Sequence, residues 1–187
     1  MSLSHMTPDN SALVVIDYQE RLLKIMDEDV SNACIRNINM ATRLFQRLGS
    51  TVVVTEQYVK GLGRTHEAVL QHLDGVPTFE KMAFSCCGEP TFMETILALK
   101  PRHIVLTGME AHICVLHTAL DLIERGFHVY IMVDAIQSSS KLKWKTAVRA
   151  MEQAGVVALP TESILFGLLG RCGGDNFKFL SHMLKEA

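Results

Sequence analysis

Three side chains with complementary chemistry, Asp17, Lys81 and Cys114, lie at or just beyond the ends of apolar segments that are typical of β-strands. Because strands of an open parallel sheet carry their ligands at the carboxyl edge, we expect the three side chains to lie close together. A thiol, a carboxylate and an ammonium supply a nucleophile, a proton acceptor and a cation. This set is suited to acyl transfer.

Cys114 has two physical reasons to be reactive. It lies at the start of a predicted helix, where unpaired N–H groups and the macrodipole favour a thiolate. Lys81 would lower the pKa of the thiol further, and Asp17 can accept its proton. We therefore expect a pKa below that of free cysteine, and slower alkylation when Asp17 or Lys81 is replaced. The N–H groups of the Glu110–Cys114 turn are also suited to binding an oxyanion.

Each of the three residues also has an ordinary structural explanation. An aspartate at the end of a strand often only forms a turn. A lysine after a strand is usually solvated, and an isolated cysteine is usually an inert core residue. The hypothesis of a site therefore depends on the convergence of all three.

The elements that must position these residues alternate along the chain. Short β-branched segments alternate with longer helical periods, which is typical of βαβ units. The predicted strands are 12–17, 51–55, 76–81, 103–107, 127–133 and 156–159, and the predicted helices are 30–48, 90–99, 115–124, 141–153, 162–169 and 175–185. The pattern predicts a doubly wound open parallel sheet with helices on both faces, a Rossmann-like three-layer α/β/α fold.

The length of the chain, 187 residues, fits one domain. We assign that domain to residues 12–187 and treat residues 1–11 as an N-terminal tail. The second methionine, Met6, is consistent with part of the tail being a cloning remnant.

Composition excludes several classes of protein. The formal net charge of -2 gives no electrostatic basis for binding nucleic acid or an anionic membrane. No apolar run reaches the roughly 18–20 residues that span a bilayer, and no signal peptide or mitochondrial presequence is recognisable. Five cysteines without a C-x-x-C pair indicate free thiols in a reducing compartment. We expect a cytoplasmic protein with a small-molecule substrate.

Five segments, taken in order, resemble the isochorismatase-like cysteine hydrolases, and most closely the isochorismatase-domain-containing proteins of unassigned substrate. The resemblance covers almost the whole chain. The segments are 13–20 (LVVIDYQE), 55–63 (TEQYVKGLG), 79–81 (FEK), 108–115 (GMEAHICV) and 133–135 (VDA).

The resemblance implies that Asp17, Lys81 and Cys114 form a catalytic triad. Cys114 would attack an amide-like carbonyl, Asp17 would accept its proton, Lys81 would hold the charges, and water would resolve a thioester. The resemblance also implies a cis Met109–Glu110 peptide, an oxyanion hole made by the N–H groups of Glu110 and Cys114, and a homo-oligomer. To the substrate pocket we assign Gln19, Tyr58, Leu62, Phe84 and His112.

The chain departs from the family pattern at Ala111, where a small polar residue is common, and at two further places. The Ser-Arg pair that usually follows Asp134-Ala135 is replaced by residues 136–140 (IQSSS), which removes an arginine suited to a substrate carboxylate. The nicotinamidase branch carries a metal-binding Asp and two His after its second strand, where this chain has Glu56-Gln57-Tyr58. We therefore predict no metal and no cofactor, and we do not expect nicotinamide as the substrate.

Two functions of other classes stay open. The protein could be a scaffold module that keeps the fold without an efficient substrate, and a closed pocket beside Cys114 would favour this. Alternatively, Cys114 could be a redox-sensing thiol, which a resolving thiol nearby would favour. The basic segment Lys141–Lys145, with Trp144 among its lysines, is interpreted as a solvated helix face or a subunit contact.

Overall fold

The fold is built on one sheet of six parallel strands, seen in a computed structural model that describes residues 6–186. The strands are β1 (Ser11–Ile16), β2 (Thr51–Gln57), β3 (Thr78–Lys81), β4 (His103–Met109), β5 (His128–Gln137) and β6 (Val157–Leu159). Their order is β3-β2-β1-β4-β5-β6. The order reverses between β1 and β4, so the carboxyl ends of these two strands flank the crevice where ligands bind in such sheets.

Helices cover both faces of this sheet. They are α1 (Glu20–Leu23), α2 (Glu28–Arg47), α3 (Val59–Leu62), α4 (Glu67–Leu70), α5 (Pro90–Leu99), α6 (Leu116–Glu124), α7 (Lys141–Gln153), α8 (Thr161–Leu169) and α9 (Gly174–Glu186). Helices α2, α8 and α9 pack on one face, and α5, α6 and α7 pack on the other. This arrangement confirms the predicted three-layer α/β/α fold.

Strand β1 shows why its sequence is continuously apolar. Leu13 and Val15 join the core beneath α2, whereas Val14 and Ile16 join the core on the opposite face. Successive side chains of a strand point to opposite faces, so a strand covered on both sides needs apolar residues at every position.

The junction of β1 and β4 depends on a glycine. Gly108 has a positive φ of 108°, and a Cβ added there would lie 1.9 Å from the carbonyl oxygen of Ile16. Only glycine fits this close approach. The two strand ends are thereby held together directly before the turn that carries Cys114.

Several boundaries differ from the predictions. Strands β4 and β5 continue beyond the predicted ends at 107 and 133, and they still pair at Met109 and Gln137. The polar residues that suggested an earlier end have partners inside the fold, as when Asp134 accepts hydrogen bonds from Thr161. The short helices α1, α3 and α4 were not predicted as separate elements, since each has only four residues.

The N-terminal segment is more ordered than the predicted tail. Met6 is buried, residues 8–10 form a 3-10 turn, and β1 begins at Ser11. Packing therefore starts before residue 12, while residues 1–5 lie outside the described part of the chain. Across residues 6–186, no helix has the length and apolar character needed to cross a membrane.

Candidate active site

The structure places Asp17, Lys81 and Cys114 at the carboxyl edge of the sheet. Asp17 follows β1, Lys81 is the last residue of β3, and Cys114 lies in a single turn of π-helix (Ala111–Val115) between β4 and α6. All three are buried, with exposed fractions of 0%, 1% and 6%. Single π-turns of this kind are frequent at functional sites.

Asp17 is the centre of the hydrogen-bond network. One carboxylate oxygen, Oδ1, accepts from the Thr55 hydroxyl at 2.8 Å, and the other, Oδ2, accepts from Lys81 Nζ at 2.7 Å. The negative charge of this carboxylate also acts on the thiol of Cys114 and raises its pKa. The backbone of Asp17 is left-handed, with φ of 48°, a conformation that Asp and Asn tolerate better than most residues.

The ammonium of Lys81 has no donor left for a substrate. Besides Asp17, Nζ donates to Gln57 Oε1 at 2.6 Å, and the carbonyl oxygens of Phe84 and Ala83 lie 3.1 and 3.3 Å away. An ammonium has three N–H groups, and these acceptors occupy all of them. The ammonium of Lys81 is therefore held by acceptors of the protein itself.

The charge state of Lys81 follows from its neighbours. Burial by itself would lower the pKa of the ammonium, but the charge of the Asp17 carboxylate and its hydrogen bond to Nζ oppose burial, and the pKa is raised. The residue consequently stays protonated at neutral pH. A lysine after a strand is usually solvated, and here the contact with Asp17 makes burial possible.

The expected low pKa of the Cys114 thiol is wrong. Burial raises the pKa first, and the negative charge of Asp17 raises it further, whereas Lys81 lowers it only in part. Cys114 also does not lie in the first turn of α6, where the helix dipole was expected to act on it, because α6 begins only after the π-turn. The raised pKa keeps the Cys114 thiol neutral at neutral pH.

A small pocket of about 100 Å³ opens above Cys114. Its walls are mainly apolar, and Phe84 is 59% exposed at the mouth. The residues that line it are Leu22, Gln57, Leu62, Phe84, Glu110, Ile113 and Cys114. Of the five residues assigned to the pocket from the sequence, Leu62 and Phe84 lie in this wall.

The other three assigned residues surround the pocket without lining it. Gln19 is fully buried, and its side-chain amide bonds to the backbone of Gln57 at 2.8 and 3.0 Å. The ring of Tyr58 lies against Gly61, where a Cβ would come within 2.1 Å of it. His112 Nδ1 shares a hydrogen bond with the hydroxyl of Ser138 at 3.0 Å. These residues support the loops that form the pocket.

Comparison with known proteins identifies the family. The isochorismatase domain model matches residues 11–163. The chain belongs to the isochorismatase family.

Three proteins illustrate the range of similarity. Isochorismatase family protein 1B of Dictyostelium discoideum is 32% identical over 193 residues, covering 99% of this chain and 91% of that protein. The structure of MAR1 ribonuclease from Caenorhabditis elegans is 35% identical with a TM-score of 0.87, covering 96% and 92% of the two chains. The ycaC gene product of Escherichia coli, described as an octameric hydrolase of unknown specificity, shares the fold at 19% identity, with a TM-score of 0.85 over 95% and 89%.

The position that holds a metal ligand in the nicotinamidase branch has a different role here. Glu56 accepts hydrogen bonds from the N–H and hydroxyl of Thr65 at 2.7 and 2.8 Å, and from Arg64 at 2.7 Å. Burial alone would raise the pKa of Glu56, but these bonds lower it overall. Among the residues that the structure describes, no three His, Cys, Asp or Glu side chains are grouped as metal ligands would be.

Gln57 and Cys86 are among the residues near the site that were not predicted from the sequence, as are Thr55, Leu22 and Ile113. Gln57 ends β2 and binds Lys81, so the same strand-end argument that selected Asp17 could have found it. Cys86 is buried with its sulfur 3.6 Å from the Thr55 hydroxyl, and burial together with Asp17 raises the pKa of its thiol to about 12. No sequence signal distinguished Cys86 from the adjacent Cys87.

The Met109–Glu110 peptide bond is cis.

Proposed function

We propose that this member of the isochorismatase family is a cysteine hydrolase that cleaves a C–N bond in a small amide or a related carbonyl compound. The observation that carries the proposal is that the buried Cys114 thiol is electrostatically coupled to the buried Asp17–Lys81 ion pair and lies in the wall of a pocket. A nucleophile close to a proton acceptor is the arrangement that covalent catalysis requires.

The first half of the reaction forms a thioester. As the Cys114 sulfur attacks the carbonyl carbon, its proton passes to Asp17, and the electron pair of the C=O bond moves to the oxygen. The N–H groups of Glu110 and Cys114 would hold that oxyanion. When the tetrahedral intermediate collapses, the C–N bond breaks and the leaving nitrogen takes the proton from Asp17.

The second half regenerates the thiol. Water attacks the thioester carbonyl while Asp17 accepts one of its protons, and the C–S bond breaks as the carbonyl re-forms. The departing sulfur recovers the proton, so the enzyme returns to its starting state. Throughout, the ammonium of Lys81, 2.7 Å from Asp17, balances the negative charge of that carboxylate.

The pocket favours a small, uncharged substrate. Its volume of about 100 Å³ is well below the roughly 300–1,000 Å³ of sites for drug-sized ligands. Glu110 supplies the one charged side chain of its wall, and Lys81 has no free donor for a substrate carboxylate. We therefore infer that a primary amide with a short apolar substituent fits better than an anionic or large substrate.

RNA is a second candidate substrate because the Caenorhabditis elegans neighbour is named a ribonuclease. The pocket argues against it, since about 100 Å³ with an acidic rim offers little to a polyanion. The net charge of -2 likewise gives no electrostatic attraction. The open pocket, in turn, argues against the scaffold hypothesis, which a closed pocket would have favoured.

The test is a panel of short, uncharged primary amides assayed for release of ammonia, with RNA as a parallel substrate. We expect turnover of at least one amide, none by Cys114→Ala, and an acyl-enzyme on Cys114 detectable by intact mass after rapid acid quench. Hydrolysis that survives Cys114→Ala, or RNA cleavage without any amide turnover, would refute the proposal.

Self-association and location are further proposals. The octameric Escherichia coli relative supports a homo-oligomer here, which light scattering coupled to gel filtration can measure. A single monomeric mass at all concentrations would contradict it. The cytoplasmic location stays a prediction from cysteine usage and the N-terminal sequence.

A further inference from the structure

A second cavity, larger than the catalytic pocket, lies at the carboxyl end of β5. It has a volume of about 650 Å³, within the range typical of small-molecule sites. We name it the α2–α7 groove, because the first turns of α2 and α7 form its sides and the end of β5 forms its floor. The groove and the catalytic pocket share no lining residue.

The wall of the α2–α7 groove is apolar and fixed in position. Val30 and Ala33 of α2 face Trp144 of α7 across Val133 and Ile136 of the floor. The indole N–H of Trp144 donates to the carbonyl of Val133 at 3.2 Å, which holds the ring in place. Val30 is 48% exposed, so the groove presents apolar surface to solvent.

The rim of the groove carries one uncompensated charge. Asp27 accepts from the N–H of Val30 at the start of α2, and Asp134 accepts from the N–H and hydroxyl of Thr161 at the start of α8. Each carboxylate is thus balanced by a helix N-terminus. Lys141, by contrast, forms no ion pair with any side chain in the described part of the chain.

The first turn of α7 adds to the positive charge of Lys141 at the rim of the groove. Its first turn contains Lys141 and Lys143 and no acidic residue, so the N-terminal dipole and two ammonium groups have the same sign. Ordinary helices place Asp or Glu in this turn. An anion bound at the rim would supply the missing negative charge, while an apolar body would cover Trp144 and Val30.

From these observations we propose that the α2–α7 groove is a binding site for a small amphipathic carboxylate, with its carboxylate at Lys141 and its apolar body against Trp144. The site is separate from the catalytic pocket. It adjoins that pocket through the loop at 138–140, because the N–H of Ser139 donates to Glu110 at 3.1 Å and Ser138 bonds to His112.

The sequence offers a direct probe, since Trp144 is the single tryptophan of the chain. Octanoate is titrated into the whole protein while Trp144 emission and, independently, the heat of binding are measured. We expect saturable binding that persists after Cys114 is alkylated, which separates the groove from the catalytic pocket. Octanol, the uncharged analogue, should bind roughly three- to fivefold more weakly, as expected for a partly exposed charge contact.

Matched variants locate the contacts. Lys141→Gln should weaken the binding of octanoate roughly three- to fivefold, as replacing octanoate by octanol does. Lys145→Gln, on the same helix but outside the groove, should not weaken it. Ala33→Leu should abolish binding by filling the groove, and Asn32→Leu, at an exposed neighbouring position, should leave it intact. Circular dichroism confirms that each variant is folded.

Four results would each overturn the proposal. The first is the absence of a saturable signal by either method, and the second is equal weakening of octanoate binding by the two lysine variants. The third is loss of octanoate binding when Cys114 is alkylated, and the fourth is equal affinity for octanol and octanoate. Trp144 emission that depends on protein concentration instead of octanoate would also overturn it, since a second copy of the chain would then occupy the groove.

Discussion

Replacing Asp17 by asparagine should separate the chemical reactivity of Cys114 from catalysis. The substitution removes both the negative charge that raises the pKa of the thiol and the group that accepts its proton. The left-handed backbone of residue 17 suits asparagine, and Thr55 keeps a hydrogen-bond partner. We therefore expect a variant that folds with reduced stability, because Lys81 loses its charged partner, and whose thiol ionises more easily but which cannot hydrolyse amides.

The magnitude follows from the contact between the two groups. A unit charge about 4 Å away in a medium of effective dielectric constant about 20 contributes roughly 4 kcal/mol. Since about 1.4 kcal/mol changes an equilibrium tenfold, the thiolate fraction would rise by as much as about 10³. Thiolate nucleophilicity falls with pKa with a Brønsted slope of about 0.4–0.5, so the alkylation rate should rise about 30-fold.

The assay is the rate of iodoacetamide alkylation of Cys114 from neutral to alkaline pH, followed by peptide mass spectrometry. Cys172 is exposed and would react quickly, so the measurements are made in a Cys172→Ser background. Because the wild-type pKa is raised, its rate should keep increasing with pH beyond the range in which free cysteine is already ionised. The Asp17→Asn profile should level off at lower pH.

The result that would refute this reasoning is an Asp17→Asn variant that is alkylated as slowly as wild type or more slowly. Slower alkylation is what the sequence alone led us to expect. Lys81→Met provides the opposite control, since losing the positive charge should slow alkylation. Retained amide hydrolysis by Asp17→Asn would separately contradict the role of Asp17 as the proton acceptor.

Three further changes test how the site is built. Lys81→Met should lower the free energy of unfolding by about 3–5 kcal/mol, because it leaves Asp17 buried without its partner. Urea titration measures this change, and an unchanged urea midpoint would contradict the buried ion pair. Gly108→Ala should lower the free energy of unfolding far more than Gly126→Ala. Both glycines have positive φ, but only a Cβ at residue 108 would collide with the backbone of Ile16. Equal losses of unfolding free energy would contradict this steric explanation. The pKa of Glu56 is lowered in the folded state, so its stabilising contribution is present above the ordinary pKa near 4.3 and is lost as pH falls through the folded value. Unfolding free energies measured from neutral to acid pH should therefore fall more steeply for wild type than for Glu56→Gln, and parallel curves would rule this out.

The amino-acid sequence by itself was sufficient to predict the fold and to select Asp17, Lys81 and Cys114 as residues of one candidate site. Continuous apolar segments predict a parallel sheet because both of its faces are covered, and β1 shows this residue by residue. Polar residues that interrupt such segments must lie at strand ends, and that reasoning placed Asp17 and Lys81 together. The segment around Cys114 resembled a family whose domain model does match the chain.

Only the tertiary structure decided the electrostatics of the site and the surfaces around it. Whether the Cys114 thiol is more or less acidic than free cysteine depends on its burial and on its contact with Asp17, neither of which local sequence encodes. Gln57 and Cys86 reach the site through strand packing across the sheet. The α2–α7 groove likewise joins residues more than 100 positions apart, since Val30 and Trp144 meet only when helices from opposite faces pack around the end of β5. Sequence pattern determines which elements form, whereas distances between elements arise from their packing, and the pKa values and cavities follow from those distances.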